Sequence, residues 1–252
     1  MKNDLFSIGP VTVHGYGLMI GIGVLCCIYM GMYRAKRNDM KEDTILDIAI
    51  IGLTAGFLGA KLLFLIVEWK ALLADPLSVI GSEGFVVYGG IIAGVISAIV
   101  YCRRKGLVFL EYFDLLSPSI ALAQGFGRIG CFLAGCCYGR ETDSFLGVVF
   151  PEGSFAPAGV KLLPTQLFSS AGDFAIMFIL LWHYKRRKRI GDTGFLYMLL
   201  YGIGRFLIEF LRNDNRGGVG MLSTSQFISV FIVAAAVALL LFNRKKPEIK
   251  WS

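Results

Sequence analysis

The sequence predicts an all-α, polytopic membrane protein with seven transmembrane helices, and three observations support this class. Of the 252 residues, 56% are hydrophobic and only 17% are charged, whereas soluble domains average about 25% charged residues. Long apolar segments recur along the chain at lengths near the roughly 20 residues that a spanning helix requires. Basic residues are concentrated after alternate segments. A soluble chain of this length would not need so much apolar surface, so the membrane class is favoured.

Seven apolar segments are predicted to span the membrane. They are residues 15–33, 44–66, 86–102, 113–135, 170–184, 194–211 and 225–242. The third and fifth are short for a span, so the sequence defines their ends least well. Residues 1–13 are polar and contain no signal-peptide pattern, which predicts that the first segment stays in the membrane. The whole chain, 1–252, is therefore predicted to form a single integral-membrane domain.

The basic residues predict the orientation of these spans. Most of the 25 Lys and Arg residues follow odd-numbered segments, in four groups: Arg34, Lys36, Arg37 and Lys41; residues 103–105; residues 185–189; and Arg244, Lys245, Lys246 and Lys250. The positive-inside rule places these loops in the cytoplasm, with the N-terminus outside and the C-terminus cytoplasmic. We therefore interpret the net charge of +7 as a topology signal, and no nucleic-acid partner is predicted.

The loops on the opposite side are poor in basic residues. They comprise residues 67–85, 136–169 and 212–224. The longest of them, 136–169, contains three prolines and several glycines, which predicts turns and no separate domain. We expect this segment to form an extracytoplasmic arm over an outward-facing site.

Several ionisable residues fall inside the predicted spans, where each costs about 2.5–3.5 kcal/mol on insertion scales. They are Lys61, Arg128, Arg205 and Glu209, with Asp47, Asp114 and Asp173 nearer the predicted ends. One interpretation is a structural ion pair between helices. The other is an anion site, because the two arginines and Lys61 outnumber Glu209 and Asp114, the acids expected to pair with them. A phospholipid headgroup is the abundant anion in a bilayer, and guanidinium groups bind phosphate through a fork of donors.

Several of these charged residues fall in two short segments. In residues 201–212, Arg205, Glu209 and Arg212 stand at i, i+4 and i+7, which predicts an Arg–Glu–Arg stripe on one helix face. In GRIGCFLAGCCYG, residues 127–139, the helical spacing places Arg128 on the same face as Cys131. The glycines of this segment allow a neighbouring backbone or a ligand to approach closely.

These motifs resemble, in order, those of the prolipoprotein diacylglyceryl transferase family. The matching segments are HGYGLM (14–19), GFLGAKLLF (56–64), VYGGIIAG (87–94), GRIGCFLAGCCYG (127–139), LPTQLF (163–168) and YGIGRFLIEFLR (201–212). The resemblance implies a bacterial enzyme of the cytoplasmic (inner) membrane with seven spans and its active site toward the outer face. It implies transfer of a diacylglyceryl group from phosphatidylglycerol to the lipobox cysteine thiol of a prolipoprotein, with release of glycerol phosphate. No cofactor and no metal are predicted.

The resemblance also implies roles for individual residues. Arg128 would hold the lipid phosphate, and Arg205 with Glu209 would orient the headgroup or stabilise the leaving phosphate. The implied substrate-binding set is completed by Tyr16, Lys61, Gly89, Gly90, Gly127, Gly130 and Gln166.

Several polar residues of the family pattern are replaced in this chain. Tyr88 stands where the family has histidine, Cys131 and Ala134 stand for two asparagines, Cys136 stands for a glutamate, and Ser169 stands for an acidic residue. The sequence therefore leaves the identity of the acceptor open. It is either the lipobox thiol or another acceptor used by a divergent paralogue. Tyr88 would serve as a base only if its pKa, ordinarily about 10, were lowered.

Three interpretations of the cysteines remain open. Cys26, Cys27 and Cys102 are expected to be small buried apolar residues. A disulfide among Cys131, Cys136 and Cys137 is one alternative near the outer face. The other is a thiolate, of Cys131 or Cys136, that acts as a nucleophile or lipid carrier because Arg128 lowers its pKa.

Zinc is not predicted, because Cys-x4-Cys-Cys is not a usual ligand spacing and the two histidines, His14 and His183, are expected near opposite faces. A different class, a transporter or a lipid-binding protein without catalysis, would also explain charges at membrane depth. A transporter would be expected to show related halves, and the sequence shows no internal repeat.

Overall fold

A computed structural model of the chain describes residues 4–8, 11–82, 84–214, 218–220 and 222–248. Helices make up most of these residues: α1 (Gly15–Arg37), α2 (Glu42–Val67), α3 (Trp69–Ala74), α4 (Pro76–Gly81), α5 (Val87–Arg104), α6 (Phe109–Ala134), α7 (Thr165–Tyr184), α8 (Asp192–Glu209) and α9 (Thr224–Asn243). Three short antiparallel strand pairs accompany them: β1 (Asp4–Ile8) with β2 (Val11–His14), β3 (Val148–Val149) with β4 (Lys161–Leu162), and β5 (Gly218–Val219) with β6 (Leu222–Ser223).

Each of the seven segments predicted as spans is helical over most or all of its length. Five helices of the described chain, α1, α2, α5, α7 and α9, are long and apolar enough to cross a membrane. In the most apolar 18-residue stretch of α2, no residue is buried within the protein. This exposure is expected of a helix that is surrounded by lipid. The two remaining long helices, α6 and α8, are those that carry Arg128 and Arg205. The predicted helical membrane class is thus confirmed with five candidate spans.

Helix α7 begins five residues before its predicted start at 170. Pro164 occupies the position before the first helical residue, where its missing N–H has no consequence. The polar residues that interrupt the apolar segment find partners, because Ser169 Oγ donates to the Thr165 carbonyl at 2.8 Å and Ser170 Oγ donates to the Gly125 carbonyl of α6 at 2.9 Å. Serine hydroxyls satisfied in this way do not stop a helix.

Helix α8 ends at Glu209, two residues before its predicted end. The backbone beyond it turns to pair with the segment after α6: the Arg140 N–H donates to the Leu211 carbonyl at 2.9 Å, and Gly139 forms a bridge with Arg212. The predicted placement of Arg212 on the same helix as Arg205 is therefore wrong.

The chain divides into two compact units, Met1–Gly31 with Phe113–Ser252, and Met32–Tyr112. In the second unit, α2 and α5 pack closely through glycines. A Cβ added at Gly90 would lie 2.8 Å from the Gly56 carbonyl oxygen, and one added at Gly89 would overlap the Gly59 carbonyl. These contacts give the glycines of VYGGIIAG a packing role, because only a residue without a side chain allows the two backbones to approach this closely.

In the first unit, the segment between α6 and α7 is folded onto the end of α6. The pair β3–β4 lies within it, and Phe150 and Leu162 are each 1% exposed in a cluster that includes Phe132 of α6. The segment predicted as an arm is therefore held by its own apolar core.

Asp114 of α6 is a buried anchor in the first unit, and it does not pair with the arginines that the sequence suggested. Its carboxylate accepts from Arg187 Nη1 at 3.2 Å and from the backbone N–H groups of Gly191 and Gly194, each at 2.7 Å. The two backbone donors belong to the start of α8, where a carboxylate is favoured by the helix dipole. Asp114 thereby joins α6 to the loop that contains Arg187.

Asp114→Ala is expected to destabilise the protein by about 3–5 kcal/mol, because it leaves a buried guanidinium and two backbone donors without their acceptor. Thermal unfolding of the purified protein in detergent measures the effect, with Asp114→Asn falling between the wild type and alanine. Asp143→Ala, at an exposed carboxylate, is the matched control. A midpoint for Asp114→Ala equal to that of Asp143→Ala would contradict the anchoring role.

Candidate active site

A cavity of about 70 Å³ lies between α6, α7 and α8 in the first unit. Its polar lining consists of Arg128, Ser169, Asp173, Tyr201 and Arg205, and the remaining lining residues are Gly172, Ile176, Gly204 and Ile208. Gly172 and Gly204 are exposed, and a Cβ added at either would meet no atom within 4 Å. The cavity wall therefore opens at these glycines onto the surface of two largely apolar helices.

Helix α6 is oriented by its neighbours so that Arg128 faces this cavity. Tyr197 of α8 donates a hydrogen bond to Gln124 Oε1 at 3.0 Å, one turn before Arg128. The ring of Phe174 packs against Gly125, where a Cβ would lie 2.5 Å from the ring. The sequence places Gln124 and Arg128 on one helix face, and these contacts direct that face toward α7 and α8.

Arg128 is a half-buried cation that is not neutralised by a direct ion pair. Within the described ranges, no carboxylate oxygen lies within 4.0 Å of its guanidinium. Arg128 interacts electrostatically with Tyr201, Cys131 and Asp173, among other groups. A buried charge without a close counter-ion is unfavourable, and an anionic ligand in the cavity would remove this penalty.

Arg205 is the second cation of the cavity, and it is partly neutralised. Its Nη1 lies 2.9 Å from Glu209 Oε2, and its Nη2 donates to Ser225 Oγ of α9 at 2.6 Å. Glu209 also lies 4.0 Å from Arg212, which in turn forms a two-pronged pair with Asp214 at 2.8 and 2.9 Å. Arg205, Glu209, Arg212 and Asp214 thus form a chain of charges that continues past the end of α8, with Glu209 in a structural ion pair. Burial lowers the pKa of Arg212, but the hydrogen bonds with Asp214 outweigh it and raise the pKa above the ordinary value.

Asp173 lies at the site, although the sequence indicated only an ionisable residue near the end of a predicted span. Because α7 begins at Thr165 and not at 170, Asp173 lies two turns inside the helix. The side chain is 6% exposed and lines the cavity with both arginines, and its Oδ2 has no hydrogen-bond partner in the described part of the chain. Its spacing from Ser169 was an available signal, because residues four apart share a helix face and the family pattern expects an acidic residue at Ser169.

Three cysteines meet beside Arg128 at the end of α6. The Sγ atoms of Cys131, Cys136 and Cys137 all lie within 4.8 Å of one another. Helix α6 ends in a Schellman motif: Gly135 adopts φ +73°, and the Cys136 N–H donates to the Cys131 carbonyl at 3.1 Å. This motif brings the side chains at its two ends into contact. Cys137 also has positive φ, 63°, which is uncommon for a residue with a side chain. We call these residues the three-cysteine cluster.

Buried side chains from the start of α7 hold the backbone of this cluster. Gln166 Nε2 donates to the Cys136 carbonyl at 2.7 Å, and Thr165 Oγ1 donates to the Cys137 carbonyl at 2.8 Å. Both side chains are 1% exposed. Gln166, which the resemblance assigned to substrate binding, thus supports the loop that carries the thiols.

The described ranges contain all six cysteines, and none forms a disulfide. Hydrogen bonding with Cys131, then with Cys137, and burial raise the pKa of the Cys136 thiol. These thiol contacts and burial act against a thiolate at Cys136, and the nucleophile predicted at Cys131 or Cys136 stays a prediction.

Three other predicted residues surround Arg128. Tyr16, at the start of α1, is 42% exposed, and the three cysteines exert a field on its hydroxyl. Gly130 allows α1 to approach α6, because an added Cβ would lie 3.1 Å from the Tyr16 carbonyl oxygen. Gly127 faces open space, with nothing within 4 Å of an added Cβ.

The remaining predicted residues belong to the second unit. Lys61 Nζ donates to the Ser82 carbonyl at 2.6 Å and to the Val79 carbonyl at 3.4 Å, and it lies 5.2 Å from the centre of the Phe85 ring. Lys61 thus has two carbonyl partners within this unit, and its predicted role as a third cation in substrate binding stays a prediction. Tyr88 is 37% exposed at the start of α5, and Gly89 and Gly90 form the helix contact described above.

These features define the class of the protein. It is a helical membrane protein in which a cavity between apolar helices presents two arginines and one carboxylate, with a cluster of thiols beside one of the arginines.

Comparison with known proteins identifies the family within this class. The chain belongs to the family described as prolipoprotein diacylglyceryl transferase, which it matches over residues 3–242. The resemblance drawn from the sequence motifs is thereby confirmed.

Curated relatives support this membership over the full chain length. The chain is 46% identical over 248 residues to phosphatidylglycerol–prolipoprotein diacylglyceryl transferase 2 of Clostridium perfringens (strain 13 / Type A), covering 98% of this chain and 97% of the relative. It is 46% identical over 250 residues to the phosphatidylglycerol–prolipoprotein diacylglyceryl transferase of Clostridium tetani (strain Massachusetts / E88), covering 98% and 100%. It is 37% identical over 254 residues to the enzyme of that name from Finegoldia magna (strain ATCC 29328 / DSM 20472 / WAL 2508), covering 99% and 98%.

Proposed function

We propose that this chain is a phosphatidylglycerol–prolipoprotein diacylglyceryl transferase, which moves a diacylglyceryl group from phosphatidylglycerol to the lipobox cysteine thiol of a prolipoprotein and releases glycerol phosphate. The observation that carries the proposal is Arg128, a half-buried guanidinium without a carboxylate within 4.0 Å in the described chain, in a cavity that opens between apolar helices. A phospholipid supplies both the phosphate for this cation and the acyl chains for the apolar surroundings.

The two arginines favour departure of the phosphate. The diester phosphate of phosphatidylglycerol carries one negative charge, and the departing glycerol phosphate carries two. Because Arg128 and Arg205 line the same cavity, they stabilise the state with the larger charge more than the bound lipid. Stabilisation that grows toward the transition state raises the rate of the chemical step.

Asp173 is proposed as the group that accepts the thiol proton. In this step the acceptor S–H transfers its proton to the Asp173 carboxylate, and the sulfur attacks the diacylglyceryl carbon that is bonded to a phosphate oxygen. A carbon–sulfur bond forms and the carbon–oxygen bond breaks, with its electron pair remaining on the phosphate. The proton then passes from Asp173 to glycerol phosphate or water. Asp173 is suited to this role because it lines the cavity and has an oxygen without a hydrogen-bond partner in the described residues.

Seven spans are proposed for the topology, with the N-terminus outside, the C-terminus cytoplasmic and the site toward the outer face of the bacterial inner membrane. The alternation of basic loops supports this arrangement. We propose that the whole chain acts as one integral-membrane domain. Reporter fusions after residues 84, 143 and 214 are expected to be active outside the cytoplasm, and fusions after 105, 187 and 246 inside it. Reversal of either set would contradict the topology.

The proposed activity is tested with the purified full-length protein in nanodiscs that contain phosphatidylglycerol, incubated with a lipobox peptide. Mass spectrometry is expected to show a diacylglyceryl adduct on the peptide and glycerol phosphate in the medium. A matched peptide with serine in place of cysteine is the control and stays unmodified. Lipid that is bound but never transferred would overturn the proposal in favour of a lipid-binding protein. An adduct on the protein's own cysteines alone would indicate a different acceptor.

Gly204→Leu is expected to lower kcat/KM for phosphatidylglycerol by about tenfold or more, because the new side chain enters the cavity at its open wall and displaces the lipid from productive geometry. An added Cβ meets no atom there, so the unfolding midpoint stays near that of the wild type. Gly21→Leu is a matched control in α1, since Gly21 is also exposed with open space and does not line the cavity. Equal kinetics for the two variants would contradict lipid entry between α7 and α8.

A further inference from the structure

We propose that the three-cysteine cluster, Cys131, Cys136 and Cys137, binds a thiophilic divalent cation such as Zn²⁺ and leaves a fourth coordination position for the thiol of the acceptor. The first half of this proposal stands on the geometry of the cluster alone. The second half rests on the proposed transferase function.

The positions of the three sulfur atoms fit a single metal ion. Zinc–sulfur bonds are about 2.3 Å long, so thiolates of one tetrahedral ion lie about 3.8 Å apart. The three Sγ atoms already lie within 4.8 Å of one another. Side-chain movements of about 1 Å or less would therefore complete the ligand set, without a change in the backbone.

The backbone is arranged to hold all three thiols together. The Schellman motif at Gly135 places Cys136 beside Cys131, and the left-handed conformation of Cys137 turns the third thiol toward the same place. Positive φ at a residue with a side chain is maintained only where surrounding contacts enforce it. Here the buried donors Thr165 and Gln166 hold the carbonyls of Cys137 and Cys136.

The number of thiols and the nearby charges favour a metal over a disulfide. A disulfide joins two thiols, whereas three converge here. A divalent ion with three thiolates has a net charge of −1, and Arg128 and Arg212 both exert a field at Cys137 and favour that anion. The sequence argument against zinc considered ligand spacing along the chain, which does not describe the distances created by the helix end.

Three protein ligands form an open site, because zinc ordinarily takes four. Within the described residues, the cluster contains no fourth His, Cys, Asp or Glu ligand. Cys136 and Cys137 are half-buried and therefore reachable from solvent, and Arg128 lies one turn before Cys131 and lines the cavity. A thiol in the fourth position would bind as the thiolate, beside the arginine proposed to hold the lipid phosphate. The thiol proton passes to Asp173 and the sulfur lone pair forms the bond to the diacylglyceryl carbon. The bond from that carbon to the phosphate oxygen breaks, and its electron pair leaves with glycerol phosphate.

The metal site is tested first without any activity measurement. The purified full-length protein is reduced, freed of metal and titrated with Co²⁺, whose thiolate-to-metal absorption reports sulfur ligands. One equivalent is expected to bind, and elemental analysis is expected to show one Zn²⁺ per chain after zinc loading. Cys131→Ser and Cys137→Ser are expected to weaken binding by more than about 100-fold, since even second-shell changes cost 10–100-fold. Cys26→Ser, in α1, is the matched control and binds like the wild type.

The fourth position is tested on the wild-type Co²⁺ protein, so that no variant needs to fold. A lipobox peptide is expected to increase the thiolate absorption by about a third, as three sulfur ligands become four, and the serine peptide leaves the spectrum unchanged. Three results would overturn the metal site. The wild-type protein could fail to bind one equivalent of Co²⁺, or Cys131→Ser could bind Co²⁺ as tightly as the wild type. The third result is a loss of two mass units in the purified protein, which reveals a disulfide.

The transfer assay run in parallel separates the two proposals. Lipid transfer without metal binding would overturn the metal site and leave the proposed function intact. Metal binding through the cluster without any lipid transfer would support the site and overturn the proposed function.

Discussion

Replacing Arg128 by glutamine is expected to lower kcat/KM for phosphatidylglycerol by about 10²–10³-fold, the loss observed when one group that stabilises developing negative charge is removed. Glutamine keeps much of the side-chain length but has no charge to oppose the second negative charge of the departing phosphate. Arg128→Lys keeps the charge and loses the fork of donors, so it is expected to recover only part of the activity. Initial rates of peptide modification over a range of phosphatidylglycerol contents in nanodiscs measure the effect.

The matched control for this experiment is Arg140→Gln, at an exposed arginine in the segment after α6. Its kinetics are expected to match those of the wild type. Arg128 makes no ion pair within 4.0 Å in the described residues, so its removal is expected to leave the unfolding midpoint unchanged or slightly raised. Near-wild-type kinetics for Arg128→Gln in folded protein would show that the phosphate is held elsewhere and would overturn the role proposed for Arg128.

Asp173→Asn is expected to lower kcat by about 10²–10⁴-fold, the range typical of a general base, with a smaller change in KM for the lipid. Asparagine has nearly the same shape and accepts hydrogen bonds, but it cannot take a proton. Asp173→Glu retains the carboxylate on a longer side chain and is expected to restore part of the rate. The transfer assay at fixed peptide concentration measures both variants, and Asp143→Asn is the exposed control.

A pH series separates proton transfer from a purely structural role of Asp173. The acceptor thiol has an ordinary pKa of about 8.5, so at higher pH the peptide supplies its own thiolate and needs no base. The deficit of Asp173→Asn is therefore expected to shrink as the pH rises through this value, while the deficit of Arg128→Gln does not. A deficit of Asp173→Asn that stays constant with pH would argue against the proton-accepting role.

The cavity shows why predictions about individual charges had mixed success. Arg205 and Glu209 were expected to meet, and they do, because both lie on one helix at a spacing of four residues. Asp114 was expected to pair with the arginines of the site and instead pairs with Arg187, a residue 73 positions away that the sequence explained as a topology signal. The first contact follows from helix geometry, and the second follows from how separate helices pack.

The cysteines also show that contacts created by the fold are not predicted by spacing along the sequence. Their sequence spacing argued against a metal site, because Cys-x4-Cys-Cys is not a usual zinc-ligand spacing. The structure ends α6 at Ala134, and the Schellman motif at Gly135 reverses the chain so that Cys136 returns to Cys131. The available signal was the glycine directly before the cysteine pair, because glycine is the usual residue at this position of a helix end.

The sequence by itself determined the helical membrane class, the family and the identity of Arg128 and Arg205 as unusual charges. All of these depend on local composition, on helical periodicity or on motifs that are continuous in the chain. Only the tertiary structure decided that Asp173 lines the cavity, that Lys61 has carbonyl partners, that Gln166 supports the three-cysteine cluster and that three thiols converge. The physical reason is that a buried polar group takes its partners from whichever helix packs against it, and this packing is set by the interlocking of many side chains along each contact.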